Sequence, residues 1–160
     1  MAEINGLSEL LAKLEKLGAN SDEMMIKAIS RPTKRVQKDA KLLCPVGDSG
    51  RLRNSIESKV TKDDKGNIIG LVFTNVEYAP YVEFGTGPVG AANMPQWAKE
   101  LGVSYKQNKW LANIPDVGVR YVAGQAAQPF LYPAYKQSES QIAKDVKDVL
   151  NDYIRRLGSK

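Results

Sequence analysis

Leu7, Leu10, Leu11, Leu14 and Leu17 recur at the spacing of one helix face, and Gly18 follows as a stop. Asn20 and Glu23 have the spacing of a capping box. Met24, Met25, Ala28, Ile29, Val36, Ala40 and Leu43 then predict a second helix to about Leu43. Pro32 is expected to kink or interrupt it, because proline removes an amide donor and clashes with the preceding turn. Pro45 bars continuation and pushes the residue before it out of the helical region. From Ser55 to Thr61 the pattern switches to alternation, with Ile56, Ser58 and Val60 on one face. Asn67 to Thr74 is also strand-like, and the turn Lys62–Gly66 makes the pair a β-hairpin. Tyr78 to Phe84 reads as a short helical element stopped by Gly85 and Gly87, and Pro95 to Leu101 as another. Trp97 and Trp110 read as buried anchors, and Val117 to Ala123 as a strand. A last helix runs from about Pro133 to Leu157, with Ile142, Val146, Val149, Leu150, Tyr153 and Leu157 on one face. The order predicts an α+β fold: a small antiparallel sheet with N-terminal helices and a long C-terminal helix packed on it. We expect Ile56, Val60, Leu71, Phe73, Val146 and Leu150 to meet in one core.

Composition narrows the function classes. The 160 residues carry 42% hydrophobic and 26% charged side chains, the balance of a globular protein. They predict one domain spanning residues 1–160. Residues 1–18 are either a docking arm for a neighbour or a helix packed on their own chain. No apolar run reaches the roughly 20 residues of a membrane span. Glu3 breaks any basic-then-apolar leader pattern, so secretion by that route is not expected. Cys44 is the only cysteine, which rules out an internal disulfide. The chain has no histidine, so the commonest general base and metal ligand are both missing. The net charge of +5 raises a small basic nucleic-acid-binding protein as an alternative. The basic residues are, however, scattered among acids, with Arg51 and Arg53, and Arg155 and Arg156, the only tight pairs.

Three motifs look chemical. Gly47-Asp48-Ser49-Gly50 resembles the surroundings of a hydrolase serine, yet no histidine is present to take its proton. Gly85-Thr86-Gly87-Pro88-Val89-Gly90 satisfies G-x-G-x-x-G, but Pro88 and the following residues open no clear helix, and no acid follows at ribose distance. We read it as a flexible loop. Asp63 and Asp64 lack the further acids needed for the six to eight oxygens that calcium prefers. No catalytic residue, metal ligand or cofactor-binding residue is expected.

Three segments stand out instead: Cys44-Pro45-Val46-Gly47-Asp48-Ser49-Gly50-Arg51-Leu52-Arg53-Asn54-Ser55-Ile56, Tyr78-Ala79-Pro80-Tyr81-Val82-Glu83-Phe84-Gly85-Thr86-Gly87 and Pro129-Phe130-Leu131-Tyr132-Pro133-Ala134. Each combines backbone-turning residues with an arginine or aromatic side chain. Together, in this order, they resemble a family of neck and minor tail proteins of long-tailed bacteriophages. These are the tail-completion, or head–tail joining, proteins typified by the gene-ten product of a lambdoid coliphage. That family carries Pro-Val, Asp-Thr-Gly, a basic residue, Leu, a basic or polar residue and Ser-Ile; then Tyr-Ala-x-Tyr-Val-Glu-Phe-Gly-Thr; then Pro-Phe-Leu-x-Pro-Ala. Here Gly47 is an extra residue in the first turn and Ser49 stands for the usual Thr. Residues 88–127 carry no part of the resemblance.

The resemblance implies a structural virion protein at the head–tail junction, assembled in the host cytoplasm. A tail terminator or head-closure protein is the neighbouring alternative. Its implied partners are further copies of itself, in a ring with a hexamer expected, and other neck or tail proteins. DNA would pass through the channel without sequence-specific binding, and no membrane or small-molecule substrate is involved. The interface expected from the motifs comprises Arg51, Arg53, Tyr78, Tyr81, Glu83, Gly85, Thr86, Gly87 and Phe130. If the strand has begun there, Arg51 and Arg53 share one face and can pair with acids such as Glu83 of a neighbour; the alternative is that they are solvated or satisfy local carbonyls. The loop after Phe84 is expected to order on binding.

Overall fold

The structure is a computed structural model that describes residues 21–47 and 49–158. The leucine stripe at Leu7–Leu17, the cap residue Asn20, the turn residue Asp48 and the side chain of Leu157 lie outside the described residues.

Helix α1 (Ser21–Leu43) opens with Asp22 and Glu23 and closes near Lys41, so its end charges oppose the helix dipole. Met24, Met25, Ala28, Val36 and Ala40 form its buried stripe. The helix runs through Pro32 and is not interrupted there. Pro32 is itself buried, and the Thr33 hydroxyl donates to the Ile29 carbonyl at 2.6 Å. Packing along the C-terminal helix offsets the roughly 3 kcal/mol that an interior proline costs.

The segment expected to begin the first strand is instead one helical turn, α2 (Arg51–Asn54). Gly50 enters it at φ 59°, and the Asn54 amide donates to the Gly50 carbonyl at 3.0 Å. Leu52 is buried, and Arg51 and Arg53 flank it rather than sharing a strand face. Strands β1 (Glu57–Lys62) and β2 (Ile68–Phe73) then pair antiparallel, from Glu57 opposite Phe73 to Lys62 opposite Ile68. At the tip Asp63 accepts hydrogen bonds from the Lys65 amide at 2.9 Å and the Asn67 amide at 2.8 Å. Those bonds, with one from the Asn67 side chain, hold the Asp63 carboxyl below its usual range. The pair rests on α1; a Cβ on Gly70 would lie 2.0 Å from the Thr33 hydroxyl.

Four short elements follow: helices α3 (Ala79–Phe84), α4 (Gly87–Ala92) and α5 (Gln96–Glu100), then strand β3 (Trp110–Ile114). Strand β4 (Gly118–Val122) pairs with β3, Trp110 opposite Val122 and Ile114 opposite Gly118. The long helix α6 (Leu131–Gly158) closes the chain. The architecture is α+β, but the antiparallel structure is divided into two separate two-stranded sheets.

The single core expected around the first hairpin and α6 is two clusters. Val36, Ala40, Cys44, Leu52, Ile56, Val76, Ala79, Phe130 and Ala134 form the first. Met24, Met25 and Ala28 with Val146 and Leu150 form the second, between α1 and α6. Leu71 is exposed, and Phe73 lies half-buried under the Lys59 ammonium, 5.4 Å from its ring. The reason is geometric. Helix α1 packs on both the hairpin and α6, so each buries apolar side chains against it.

Candidate assembly surface

The first cluster draws on all three sequence motifs: Cys44, Leu52 and Ile56 from the first, Ala79 from the second, Phe130 and Ala134 from the third. Polar groups join them as well. Pro129 and Pro133 have no amide hydrogen, which leaves three amides between them at the start of α6. Glu83 takes all three. Its carboxylate accepts from Phe130 at 2.8 Å, Leu131 at 2.9 Å and Tyr132 at 2.9 Å. An anion there also meets the positive end of the helix dipole. Glu83 is 4% exposed, so it is not available to a neighbour's arginine.

The first motif is tied down similarly. Arg53 is half-buried and its Nη2 donates to the Cys44 carbonyl at 3.1 Å, closing the loop between α1 and α2. Burial pushes the Cys44 thiol above its usual range, against the pull of nearby Arg53. Arg51 is exposed. Among the described residues no ion pair joins either arginine to Glu83. The Ser49 hydroxyl accepts from the Arg51 amide at 3.3 Å in an exposed turn, a turn-forming role rather than a nucleophilic one.

The glycine segment is not a loose loop. Thr86 and Gln125 exchange backbone hydrogen bonds of 2.9 and 3.1 Å, so residues 85–87 cross the returning chain at contact distance. A Cβ at Gly85 (φ 78°) would lie 2.7 Å from the Ala127 amide, and one at Gly87 (φ 60°) 2.6 Å from the Ala123 carbonyl. Across the crossing, a Cβ at Gly124 would lie 1.9 Å from the Thr86 carbonyl. Glycine is required here because two backbones touch and φ is positive.

Among the motif residues left facing outward are Arg51 and two tyrosines. Tyr78 is 41% exposed and Tyr81 58%. Two open grooves meet at Tyr78, Val82 and Gln125. One, of about 340 Å³, is lined by residues 45–47 and 49–52 of the first motif. The other, of about 700 Å³, is lined by Tyr81, Tyr105, Lys106 and Trp110. Gln125 is fixed between them, its Nε2 donating to the Tyr81 carbonyl at 2.9 Å. The Tyr105 hydroxyl donates to the Phe84 carbonyl at 2.7 Å, and burial raises that phenol above its ordinary value.

Of the nine residues expected at an interface, Arg51, Tyr78 and Tyr81 are exposed, Arg53 and Thr86 are half-buried, and Glu83, Gly85, Gly87 and Phe130 are buried. Phe130 is fully inside the first cluster. The sequence reading missed β3 and with it the second hairpin, whose turn signal is Pro115-Asp116-Val117-Gly118. It also missed Tyr105 and the stacking of Trp97 on Tyr132, with ring centroids 4.1 Å apart and planes 8° from parallel. Both tryptophans are half-buried. Among the described residues no group of three or more acids and cysteines is placed to hold a metal ion, and no helix is long and apolar enough to cross a membrane.

No curated protein and no solved structure matches the chain. A protein-family comparison does: residues 8–85 match the HK97-gp10-like family, described as "Bacteriophage HK97-gp10, putative tail-component". That match spans the first motif and the second as far as Gly85, so this part of the chain is similar to a bacteriophage tail-component family.

Proposed function

We propose that this chain is a structural protein of a long-tailed bacteriophage that works at the head–tail junction, completing the tail or joining it to the head. One observation carries the reading. Three of the charged and aromatic motif groups are built into the scaffold, while Arg51 stays exposed: Glu83 caps α6, Arg53 closes a loop and Phe130 fills the core. What the motifs present outward is a tyrosine ridge between two open grooves, and exposed tyrosines are preferred protein-contact residues. The likeness of residues 8–85 to tail proteins supports the same assignment. The chain then acts by fitting against copies of itself, as a ring, and against other neck or tail proteins. DNA passes it without sequence-specific contact. The test is deletion of its gene from the phage that encodes it. Separate heads and tails in electron micrographs, with the chain present in purified wild-type particles, are expected. Joined infectious particles formed without the chain would overturn the reading.

A further inference from the structure

The second hairpin presents an outward face that nothing among the described residues covers. Leu111, Asn113, Val119 and Tyr121 share that face, because Leu111 pairs with Tyr121 and Asn113 with Val119. All four are exposed, Tyr121 at 72%. At the tip, Val117 is 52% exposed, and Asp116 is held at φ 63°, the one positive φ outside glycine among the described residues. The Val117 amide donates to the Ile114 carbonyl at 3.1 Å, so the turn is preformed. Pro115 precedes it. Asp116 is exposed, and no hydrogen bond or ion pair engages its carboxylate among the described residues.

The 700 Å³ groove offers the complement. Tyr78, Tyr81, Tyr105 and Trp110 line it, with Lys106 as its one cation and no acid. The Lys106 ammonium lies 5.2 Å from the Trp110 ring centre, and no carboxylate pairs with it among the described residues. Aromatic-lined grooves accept proline-containing segments, and a lone cation beside one favours an acidic occupant.

We infer that the β3–β4 tip of one copy docks in the aromatic groove of a second copy. Pro115 then packs among the tyrosines and Asp116 meets Lys106. A chain cannot make this contact with itself. Trp110, at the near end of β3, lines the groove, while the tip lies beyond the far end of that strand. At about 3.4 Å per residue the two are some 14–17 Å apart along a strand that cannot fold back. Because tip and groove are different surfaces, the contact is head-to-tail and can be repeated from copy to copy. The inference rests on the proposed assembly role and names its partner as this chain itself.

The test is sedimentation velocity of the purified full chain, with Lys106→Glu, Asp116→Lys, Asp116→Asn and the double variant Lys106→Glu/Asp116→Lys. Asp116→Asn keeps a residue tolerant of the left-handed conformation, so the turn survives while the charge is lost. Wild type should self-associate with concentration. Each single variant should weaken association by at least about tenfold. The double variant should recover it, as should a mixture of Lys106→Glu with Asp116→Lys. A wild-type chain that stays monomeric at the highest concentration reached would overturn the inference. So would single variants that associate normally, or a double variant that fails to recover while its melting temperature matches wild type. If gene deletion separates heads from tails and yet the pure chain is monomeric, the junction role stands and this contact does not.

Discussion

Glu83 holds the backbone amide of Phe130 at 2.8 Å across 47 positions of sequence. The same carboxylate takes the next two amides, so one side chain fixes the start of α6 against α3. This explains why a glutamate in the second motif accompanies paired prolines in the third: the prolines leave three amides, and the glutamate satisfies them. Glu83→Ala should therefore cost on the order of 3 kcal/mol, since buried donors lose their acceptor. Glu83→Gln should cost less, because one oxygen remains. Denaturant titration measures both. A loss under about half a kcal/mol for Glu83→Ala, the range of ordinary surface changes, would contradict the capping role.

The packing between α1 and α6 gives a second expectation. Leu150 is fully buried beside Met24, Met25, Ala28 and Val146. Leu150→Ala should cost about 2–5 kcal/mol, again read by denaturant titration, whereas Leu71→Ala on the exposed side of β2 should cost well under about 1 kcal/mol.

The backbone crossing predicts a contrast between glycines. Gly124→Ala forces a Cβ into the Thr86 carbonyl from a residue at φ 86°, and should leave little folded protein in soluble expression and circular dichroism. A Cβ at Gly47 would meet nothing within 4 Å. Gly47→Ala should be neutral or slightly stabilising, by up to about 1 kcal/mol through the unfolded chain.

Alkaline pH should weaken the fold through Tyr105. Its phenol is held neutral by burial, above its ordinary value near 10. In the unfolded chain it ionises at that ordinary value, while the folded chain keeps the proton. Its contribution is complete below pH of about 10 and is lost as pH rises toward the folded value. Melting temperatures followed upward from pH of about 9 should fall more steeply for wild type than for Tyr105→Phe. Equal slopes would contradict the assignment.

The long helices α1 and α6 and the first hairpin were legible because their apolar periodicity is local. Met24 to Ala40 and Ile142 to Leu150 keep the helical period, and Glu57–Lys62 and Ile68–Phe73 flank a clear turn. Pro32 misled because a local penalty was outweighed by tertiary packing. Arg51 and Arg53 misled because alternation reads the same in a strand start and in a single helical turn around Leu52. Gly85, Gly87 and Gly90 suggested looseness, whereas the returning segment that makes glycine necessary at 85 and 87, residues 123–127, lies more than thirty residues on. Strand β3 was hidden because Leu111 faces outward and Trp110 inward, an inverted pattern for a strand that buries only one side. The three motifs converge on one core cluster. Only the fold could divide them into residues that build it and residues that face out.

The most direct measurement is complementation of a phage lacking this gene with a Tyr81→Arg chain. Tyr81 is 58% exposed, so the variant should fold with stability within about 0.5 kcal/mol of wild type. Removing the tyrosine ring from the ridge that lines this groove takes away a central contact residue and should block assembly. Separate heads and tails should then accumulate in electron micrographs. Normal numbers of joined, infectious particles from a folded Tyr81→Arg protein would contradict the account.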